Sequence, residues 1–427
     1  MSSKLAINGG QPVRSKKLEA FHPSPIGKEE EKAVLRVLRS QKLSQFVASK
    51  GDKFLGGPEV KRFESFFKEK FRVKYAVTFN SATTALQAAV AALKIGPGDE
   101  VILPPYSMSA SAACILLNGA VPVFADINEN DFCIDSDSIK ERITKNTKAI
   151  LVVNLFGRTP NMDKIKEIAS ENNLKIIEDN AQSPAATYKG QYAGTIGDVG
   201  VFSLNIHKAI NAGEGGVLVT NNDNIGLRAQ LSRNHGEVVV DAMPELDDKV
   251  IVGSNFRMSE IHAAISYEQL LKLDKLNQIR IELAEYLTKQ LEGIKGLVLP
   301  GANKDIKNVF YVYPIRVIKN ELGVSRDKLV DAMAAEGFIM SKGYVKPIYL
   351  LPVFQNKKAF NETNFPFESK YYDGEVSYDK GICPIAERMY ENEFTFTTIC
   401  QYPYSKKEVN EFITALKKVI DNKQELQ

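Results

Sequence analysis

The sequence predicts an α/β protein with a large, mainly parallel sheet flanked by helices and a smaller C-terminal α+β domain. Three observations lead to this prediction. Short β-rich runs alternate with helical patterns from about residue 75 to residue 220. A long amphipathic helix begins after Ser259, and another amphipathic helix lies near the C-terminus. Strands that alternate with helices favour parallel pairing, because each crossover helix returns the chain to the same edge of the sheet.

The predicted sheet is built from short runs rich in Val, Ile, Leu, Phe and Ala. Ligands of such sheets bind at the carboxyl ends of the strands, so the residues that follow Phe79, Ile177 and Ser203 are the first candidates for a functional site. The predicted strands are Ala76–Phe79, Val101–Leu103, Val121–Ala125, Ala149–Val153, Lys175–Ile177, Val199–Ser203 and Val217–Thr220, with helices over Ala82–Leu93 and Met162–Glu171.

The C-terminal part mixes helices and strand-like segments. Apolar residues recur at spacings of three and four after Ser259, which predicts a helix with one buried face. The segments Val309–Val317 and Phe338–Ile348 look strand-like. Ser405 and Glu408 stand three residues apart before an apolar stripe, and this spacing is that of a helix capping box.

The bulk composition indicates an ordinary soluble protein. The chain has 427 residues, 44% of them hydrophobic and 25% charged, with a net charge of +3. A charge this small gives no indication of nucleic-acid binding. The stretch Val101–Ala125 carries no charged residue, but Pro104, Pro105 and Pro122 interrupt it, so it predicts buried sheet and helix and no membrane segment.

The cysteines and the first residues indicate a cytoplasmic location. Cys114, Cys133, Cys383 and Cys400 form no CxxC pair and no disulfide framework, which is typical of free thiols in a reducing compartment. Residues 1–6 lack the apolar core of a signal peptide. We therefore expect a cytoplasmic protein.

Asp179 and Lys208 are the most informative residues. Asp179 closes one apolar run, and Lys208 lies between another and the turn Gly213–Gly216. Pyridoxal phosphate needs such a pair, because an amine forms a Schiff base with its aldehyde and a carboxylate keeps its ring nitrogen protonated. The alternative is that each is an ordinary charged side chain in a loop, the usual setting for a lysine.

A possible phosphate site precedes this pair. Asn80–Leu86 follows a strand and opens a helix, and its small and hydroxyl-bearing residues leave backbone N–H groups free for an anion. Taken alone, this segment is more typical of a plain Ser/Thr helix cap than of a phosphate site. Its position ahead of Asp179 and Lys208 favours the phosphate interpretation.

Beyond these residues, the sequence resembles the DegT/StrS-type sugar aminotransferases over nearly its whole length. These are pyridoxal phosphate enzymes with the aspartate-aminotransferase (type I) fold, so the resemblance implies that fold and that cofactor. It further implies an N-terminal arm over 1–30, a large cofactor-binding domain over 31–270 and a small domain over 271–427. The matching segments include 5–10, 96–102, 122–126, 178–182, 202–216, 233–236, 255–260 and 383–388.

By this resemblance, Lys208 is the lysine that bonds to the cofactor and moves the substrate proton, and Asp179 is the partner of the ring nitrogen. Gln182 neighbours the ring hydroxyl. Asn255 reaches the phosphate of an adjacent subunit, which implies a homodimer with shared active sites. Arg257 and Tyr344 are candidates for substrate contact. The residues implied for the phosphate cradle are Ser81, Ala82, Thr83 and Ser203.

The chain departs from the family pattern at several positions. Met108 stands where the family often has an aromatic residue on the cofactor ring, and a thioether packs on a ring without aromatic stacking. Asn205 replaces the usual histidine three residues before the lysine, and His207 adjoins Lys208. We interpret His207 as a neighbour without a catalytic role. His22, His235 and His262 lack metal-ligand spacing, so we expect no metal.

The implied reaction is transfer of an amino group from L-glutamate or L-glutamine to a keto-sugar, which we expect to be nucleotide-linked, or to a keto-cyclitol. The product would be an amino-sugar for a surface polysaccharide or a secondary metabolite. Two alternatives stay open: a pyridoxal phosphate-dependent sugar dehydratase or lyase on the same fold, and a non-catalytic regulatory relative. The segments 347–352 and 383–388 lean toward the enzymes that aminate cyclitols, by analogy only.

Overall fold

The structure, a computed structural model, describes residues 4–19, 24–244, 246 and 248–426. The α-helices are α1 (Lys28–Ser40), α2 (Pro58–Phe71), α3 (Ala82–Ala92), α4 (Ala110–Leu116), α5 (Ser136–Arg142), α6 (Met162–Glu171), α7 (Asp223–Arg233), α8 (Glu260–Leu291), α9 (Lys319–Leu322), α10 (Arg326–Ala335), α11 (Pro352–Gln355), α12 (Pro384–Arg388) and α13 (Lys406–Asp421). The strands are β1 (Tyr75–Phe79), β2 (Glu100–Leu103), β3 (Val121–Phe124), β4 (Thr147–Val153), β5 (Lys175–Asp179), β6 (Thr187–Tyr188), β7 (Gln191–Tyr192), β8 (Val199–Ser203), β9 (Gly216–Thr220), β10 (Leu297–Val298), β11 (Ile306–Lys307), β12 (Tyr313–Val317) and β13 (Phe394–Thr397).

The large sheet has seven strands in the order β1-β9-β8-β5-β4-β2-β3. The strands from β8 to β3 along this order are parallel to one another. Strand β9 is antiparallel to both of its neighbours, because its connection from β8 contains no crossover helix. Strand β1 therefore points the same way as β8 and ends at the same edge. The prediction of a mainly parallel sheet is confirmed.

Helices cover both faces of this sheet. Val201 of β8 lies in a buried cluster with Leu86 of α3. The next residue, Phe202, lies in a different cluster with Phe67 of α2 and Leu273 of α8. Successive side chains of a strand point to opposite faces, so this alternation gives three layers, helix on sheet on helix. Both faces are buried, which explains why the strands read as continuous apolar runs.

The C-terminal part forms a smaller α+β unit. Strands β10, β12 and β13 form an antiparallel sheet, which packs with α10, α13 and the last turns of α8. The capping box predicted for α13 is present. The backbone N–H of Lys407 donates to Ser405 Oγ at 3.2 Å, and the backbone N–H of Ser405 donates to Glu408 Oε2 at 2.9 Å.

The segment predicted as a strand over Phe338–Ile348 is not one. It runs beside β13, and the backbone bonds from Ser341 N to Phe396 O and from Gly343 N to Phe394 O, each at 3.0 Å, do not continue into a ladder. The chain turns away from β13 after Gly343, because Gly343 has a φ of 77° and a left-handed residue interrupts the pairing of two strands. The predicted strand over Val309–Val317 begins only at Tyr313.

The predicted domain boundaries fall inside helices. Helix α1 begins at Lys28, before the boundary at 30, and α8 runs through the boundary at 270. Residues of the arm contact the C-terminal unit, where the backbone N–H of Ala6 donates to Glu336 Oε1 at 2.9 Å. The division into domains stays a prediction. In the part of the chain that the structure describes, no helix combines the length and the apolar character needed to cross a membrane.

Candidate active site

The last residues of β1 and β8 and the first residue of β9 meet beside the first turn of α3. Gly216 opens β9 and is paired with Phe79 of β1 on one side and with Ser203 of β8 on the other. A Cβ on Gly216 would lie 2.5 Å from Ser81 O and 2.6 Å from Ala82 N. Only glycine permits this close approach, which brings Ser203 and the start of α3 to the same edge of the sheet.

The first turn of α3 offers free N–H groups. Ser81 caps the helix, and its Oγ accepts a hydrogen bond from the backbone N–H of Thr84 at 3.1 Å. Among the described residues, no group accepts a hydrogen bond from the backbone N–H of Ala82 or Thr83. The helix dipole adds positive potential at this end. Together with the buried hydroxyl-bearing Ser203, these donors form a site suited to a phosphate group.

Asp179 is the last residue of β5 and is 5% exposed. Ser111 Oγ of α4 donates to Asp179 Oδ2 at 2.8 Å, and the backbone N–H of Ala181 donates to Oδ1 at 3.1 Å. Burial raises the pKa of Asp179, while these two donors and the positive charge of Lys208 act against the rise. The carboxyl group is therefore fixed in position by bonds that favour its ionised form.

Lys208 follows β8 and faces the same space. Burial lowers the pKa of Lys208, and the charge of Asp179 opposes this effect. Lys208 Nζ lies 4.8 Å from the ring centroid of Tyr311, within the range of a cation–π contact. A lysine whose pKa is lowered is more often neutral, and therefore more nucleophilic, than an exposed lysine.

Gln182 connects the polar site to an aromatic wall. Its Oε1 accepts a hydrogen bond from the backbone N–H of Phe156 at 3.0 Å, and its Nε2 donates to Tyr344 Oη at 2.8 Å. The backbone N–H of Tyr344 in turn donates to Tyr106 Oη at 2.9 Å. Burial raises the pKa of Tyr344 well above its usual range. Both amide atoms of Gln182 are thus held in one orientation.

A cavity of about 320 Å³ opens next to Lys208. Tyr311 and Tyr344 belong to its lining, together with His207, Met340 and Phe396. The cavity combines apolar and aromatic walls with a few polar groups, which is typical of small-molecule sites. Its volume lies at the lower end of the range of about 300–1,000 Å³ for small-molecule sites.

The structure brings most of the predicted site residues together, whereas Met108, Asn255 and Arg257 make no direct contact with Asp179 or Lys208 among the described hydrogen bonds. The side chain of Met108 is 61% exposed. Arg257 Nε donates to Asn255 Oδ1 at 2.7 Å. The backbone carbonyl between them, that of Phe256, accepts a bond from Asn80 N at 2.8 Å, so this segment lies next to the start of α3 in the same chain.

Two of the described histidines make local contacts. His262 Nδ1 lies 2.8 Å from Ser259 Oγ at the start of α8, and His235 Nδ1 lies 3.7 Å from Glu237. His22 lies outside the described residues. Within the ranges that the structure covers, no three or more His, Cys, Asp or Glu side chains are grouped so as to hold a metal ion.

Three site residues were missed in the sequence. Ser111 contacts Asp179, Tyr311 contacts Lys208, and Phe156 contacts Gln182. Phe156 has a φ of 57°, a conformation that a bulky side chain adopts only where the fold imposes it. The only sequence signal was the run of small and hydroxyl-bearing residues around Ser111; the other two look like ordinary core aromatics.

These residues fit pyridoxal phosphate. The unpaired N–H groups of α3 and Ser203 suit its phosphate, the buried Asp179 suits its ring nitrogen, and the partly buried Lys208 suits its aldehyde. The fit rests on the close approach at Gly216 and on the electrostatic attraction between Asp179 and Lys208.

Comparison with known proteins indicates the same family that the sequence resembles. The model of the DegT/DnrJ/EryC1/StrS aminotransferase family matches residues 26–394. The chain is 32% identical to the L-glutamine:2-deoxy-scyllo-inosose aminotransferase of Streptomyces kanamyceticus, over 92% of each chain. It is 34% identical to the GDP-perosamine synthase of Caulobacter vibrioides, over 70% of this chain and 79% of that protein.

A solved structure extends the comparison. The Escherichia coli GDP-4-keto-6-deoxy-D-mannose-3-dehydratase with bound hydrated pyridoxal phosphate is 27% identical and superimposes with a TM-score of 0.78, covering 94% of this chain and all of that one (100%). The type I fold predicted from the sequence is therefore confirmed. The chain belongs to the DegT/DnrJ/EryC1/StrS family and is a pyridoxal phosphate-dependent aminotransferase.

Proposed function

We propose that this enzyme transfers the amino group of L-glutamate or L-glutamine to a keto group on a six-membered ring, either a keto-sugar or a keto-cyclitol. The single observation that carries the proposal is the cavity of about 320 Å³ beside Lys208. The relatives support both acceptor classes, because one is named for an inosose and another for GDP-perosamine. The product would enter a surface polysaccharide or a secondary metabolite.

Within this proposal, each side chain has a defined task. When bound, pyridoxal phosphate supplies an electron-accepting ring that stabilises negative charge on the substrate carbon. Lys208 Nζ removes the proton from that carbon and returns it. Asp179 holds a proton at the ring nitrogen, and Gln182 orients the ring. Ala82 and Thr83 donate backbone N–H groups to the phosphate, with Ser81 and Ser203 beside them.

The remaining residues contact the substrate or the cofactor ring in this proposal. Tyr344 and Tyr311 form walls against which the ring of the acceptor packs, and they exclude water from Lys208. Met108 packs on the cofactor ring, since its backbone carbonyl accepts a hydrogen bond from the N–H of Ser111, whose side chain contacts Asp179. Arg257 contacts the substrate from the segment beside α3.

A spectroscopic experiment tests the amino donor. The cofactor absorbance of the holoenzyme is recorded before and after addition of L-glutamate and then of L-glutamine, with D-glutamate as the control. We expect one L-donor to bleach the band with release of one keto acid per site. Lys208→Ala should lose this response, and Lys148→Ala, an exposed lysine of β4, should keep it. A Lys208→Ala enzyme that turns over would contradict the proposed role.

The acceptor and the alternative activity are tested on the donor-treated enzyme. Restoration of the band by scyllo-inosose would identify a keto-cyclitol acceptor, and restoration by a GDP-linked 4-keto sugar would identify a nucleotide-sugar acceptor. Formation of an amino product supports transamination. Release of ammonia with a deoxygenated sugar would instead favour the dehydratase.

We further propose a cytoplasmic homodimer in which Asn255 completes the active site of the partner. The exposure of Asn255 and of Met108 supports the shared site. The four free cysteines among the described residues support the cytoplasmic location. Asn255→Ala and Lys208→Ala should each be inactive alone. If sites are shared, one of the two sites in each mixed dimer is intact, so purified mixed dimers should recover about half of the wild-type activity. No recovery in verified mixed dimers would argue for self-contained sites.

A further inference from the structure

A second cavity, of about 400 Å³, lies away from the site already described. One wall is a single face of the last turns of α8, and the opposite wall is the segment 300–310. Phe310 lines this cavity, whereas the next residue, Tyr311, lies beside Lys208. The two cavities are therefore separated by this stretch of chain. The residues contributed by α8 are Ile281, Glu285, Thr288 and Lys289, and Glu292 follows directly after the helix.

Arg158 forms part of the lining and lacks a partner. Its side chain belongs to a residue that is only 9% exposed. Among the described residues, no hydrogen bond or ion pair within 4 Å is made by its guanidinium, and its buried Nε has no acceptor. Asp131 attracts Arg158 through space without pairing with it. A buried guanidinium without a paired anion is costly, so the terminal nitrogens that face the cavity are available to a ligand.

The fold holds Arg158 firmly in this position. Its backbone N–H donates to Leu155 O at 3.2 Å, and the backbone N–H of Val309 donates to Gly157 O at 2.8 Å. A Cβ on Gly157 would lie 2.4 Å from Phe310 N, so glycine is required for this contact with the opposite wall. Arg158 is thus a preorganised group at the base of the cavity.

The charge around the cavity selects the class of ligand. Lys289 and Lys307 line it with Glu285 and Glu292, and none of these four forms an ion pair within 4 Å with a described residue. The two lysines and two glutamates balance, which leaves the charge of Arg158 as the excess within the lining, while Asp131 lies outside the lining and acts on this charge only through space. A monoanion matches this excess better than a doubly charged phosphate. The planar fork of a guanidinium also matches a carboxylate in two parallel hydrogen bonds.

We propose that this cavity binds a small monocarboxylate through Arg158. The apolar side chains of Ile281, Pro300 and Phe310 in the lining accommodate the organic part of the ligand. This binding site is distinct from the amino-donor and acceptor sites, and its existence does not depend on which acceptor the enzyme uses.

The test uses the holoenzyme and 4-fluorobenzoate, followed by ¹⁹F NMR line broadening. We expect saturable broadening, and we expect much weaker broadening with the uncharged isostere 4-fluorobenzamide. Loss of a charge-assisted hydrogen-bonded pair should weaken binding by roughly tenfold or more in Arg158→Gln. Arg72→Gln removes an exposed arginine that does not line the cavity and should bind the probe as the wild type does.

A second variant covers the case in which Arg158→Gln does not fold. Lys307 is exposed on β11, so Lys307→Glu should fold, and its reversed charge should weaken binding severalfold. The proposal is overturned if 4-fluorobenzoate does not bind, if the benzamide binds equally well, or if Lys307→Glu leaves affinity unchanged. It is also overturned if inorganic phosphate displaces the probe more effectively than acetate does, or if the probe alters the cofactor absorbance and is displaced by the amino donor.

Discussion

Removal of the Ser111 hydroxyl tests how Asp179 is controlled. Ser111 is fully buried, and its Oγ donates to Asp179 Oδ2 at 2.8 Å. In Ser111→Ala the carboxyl group keeps the bond from Ala181 but loses this donor. A hydrogen bond to a charged group contributes ~1.5–3 kcal/mol, which corresponds to a loss of roughly 10- to 150-fold in kcat/KM if the bond acts fully in the transition state.

The pH dependence separates this electrostatic effect from a packing effect. Burial already raises the pKa of Asp179, and Ser111 opposes the rise. Without Ser111 the pKa should rise further, so the acid limb of the kcat/KM profile should move to higher pH in the variant. The assay is the initial rate of keto-acid release across the pH range, on protein shown by circular dichroism to be folded.

Ser109→Ala is the matched control, because Ser109 stands at the start of the same helix and its side chain makes no capping hydrogen bond. It should retain the wild-type rate and profile. If Ser111→Ala keeps kcat/KM within about twofold of the wild type with an unmoved acid limb, the bond does not govern Asp179 and the reasoning fails.

Three further predictions concern the cradle, the core and a buried carboxyl group. Gly216→Ala should weaken cofactor binding at least ~10-fold, because its Cβ would lie 2.5 Å from Ser81 O; equilibrium dialysis measures this, and unchanged affinity would contradict the tight cradle. Glu64→Gln should lower the free energy of unfolding by ~3–5 kcal/mol, because it leaves the fully buried Arg233 without the anion now 2.6 Å away. The exposed pair of Lys145 with Asp373 is the control, and Asp373→Asn should leave the midpoint of urea unfolding nearly unchanged. Burial raises the pKa of Asp131 from 3.8 to about 6, so its contribution to stability is present at low pH and is lost as pH rises through about 6. The loss of unfolding free energy is at most ~3 kcal/mol and occurs between pH 3.8 and about 6. Urea unfolding is therefore compared below and above this range, and Asp131→Asn should show no such loss.

The sequence determined the large sheet well because its signals are local. Strand β8 and helix α6 have the predicted bounds, and the capping box of α13 is written in residues three positions apart. Strands buried on both faces produce uninterrupted apolar runs, which are recognisable without knowledge of their neighbours. The segment 338–348 was mispredicted because its composition suits a strand while Gly343 turns the chain away from β13.

The candidate site likewise contains residues that the sequence predicted and residues that only the structure revealed. Asp179, Ser203 and Lys208 were predictable, because they follow apolar strands and their chemical types match one cofactor. Ser111, Phe156 and Tyr311 were not, since each acts on a residue at least 26 positions away in sequence. Hydrophobic patterns show which residues are buried, but they do not show which side chains meet.

The sequence by itself thus determined the fold class and the family, and it predicted the residues that we propose carry the reaction. Only the tertiary structure decided how Asp179 is held by Ser111 and how Gly216 lets Ser81 approach Ser203. It alone revealed that Arg158 lies buried and unpaired beside a second cavity. The physical reason is that hydrogen bonds, close contacts and buried charges depend on distances between segments, and these distances exist only once the layers have packed.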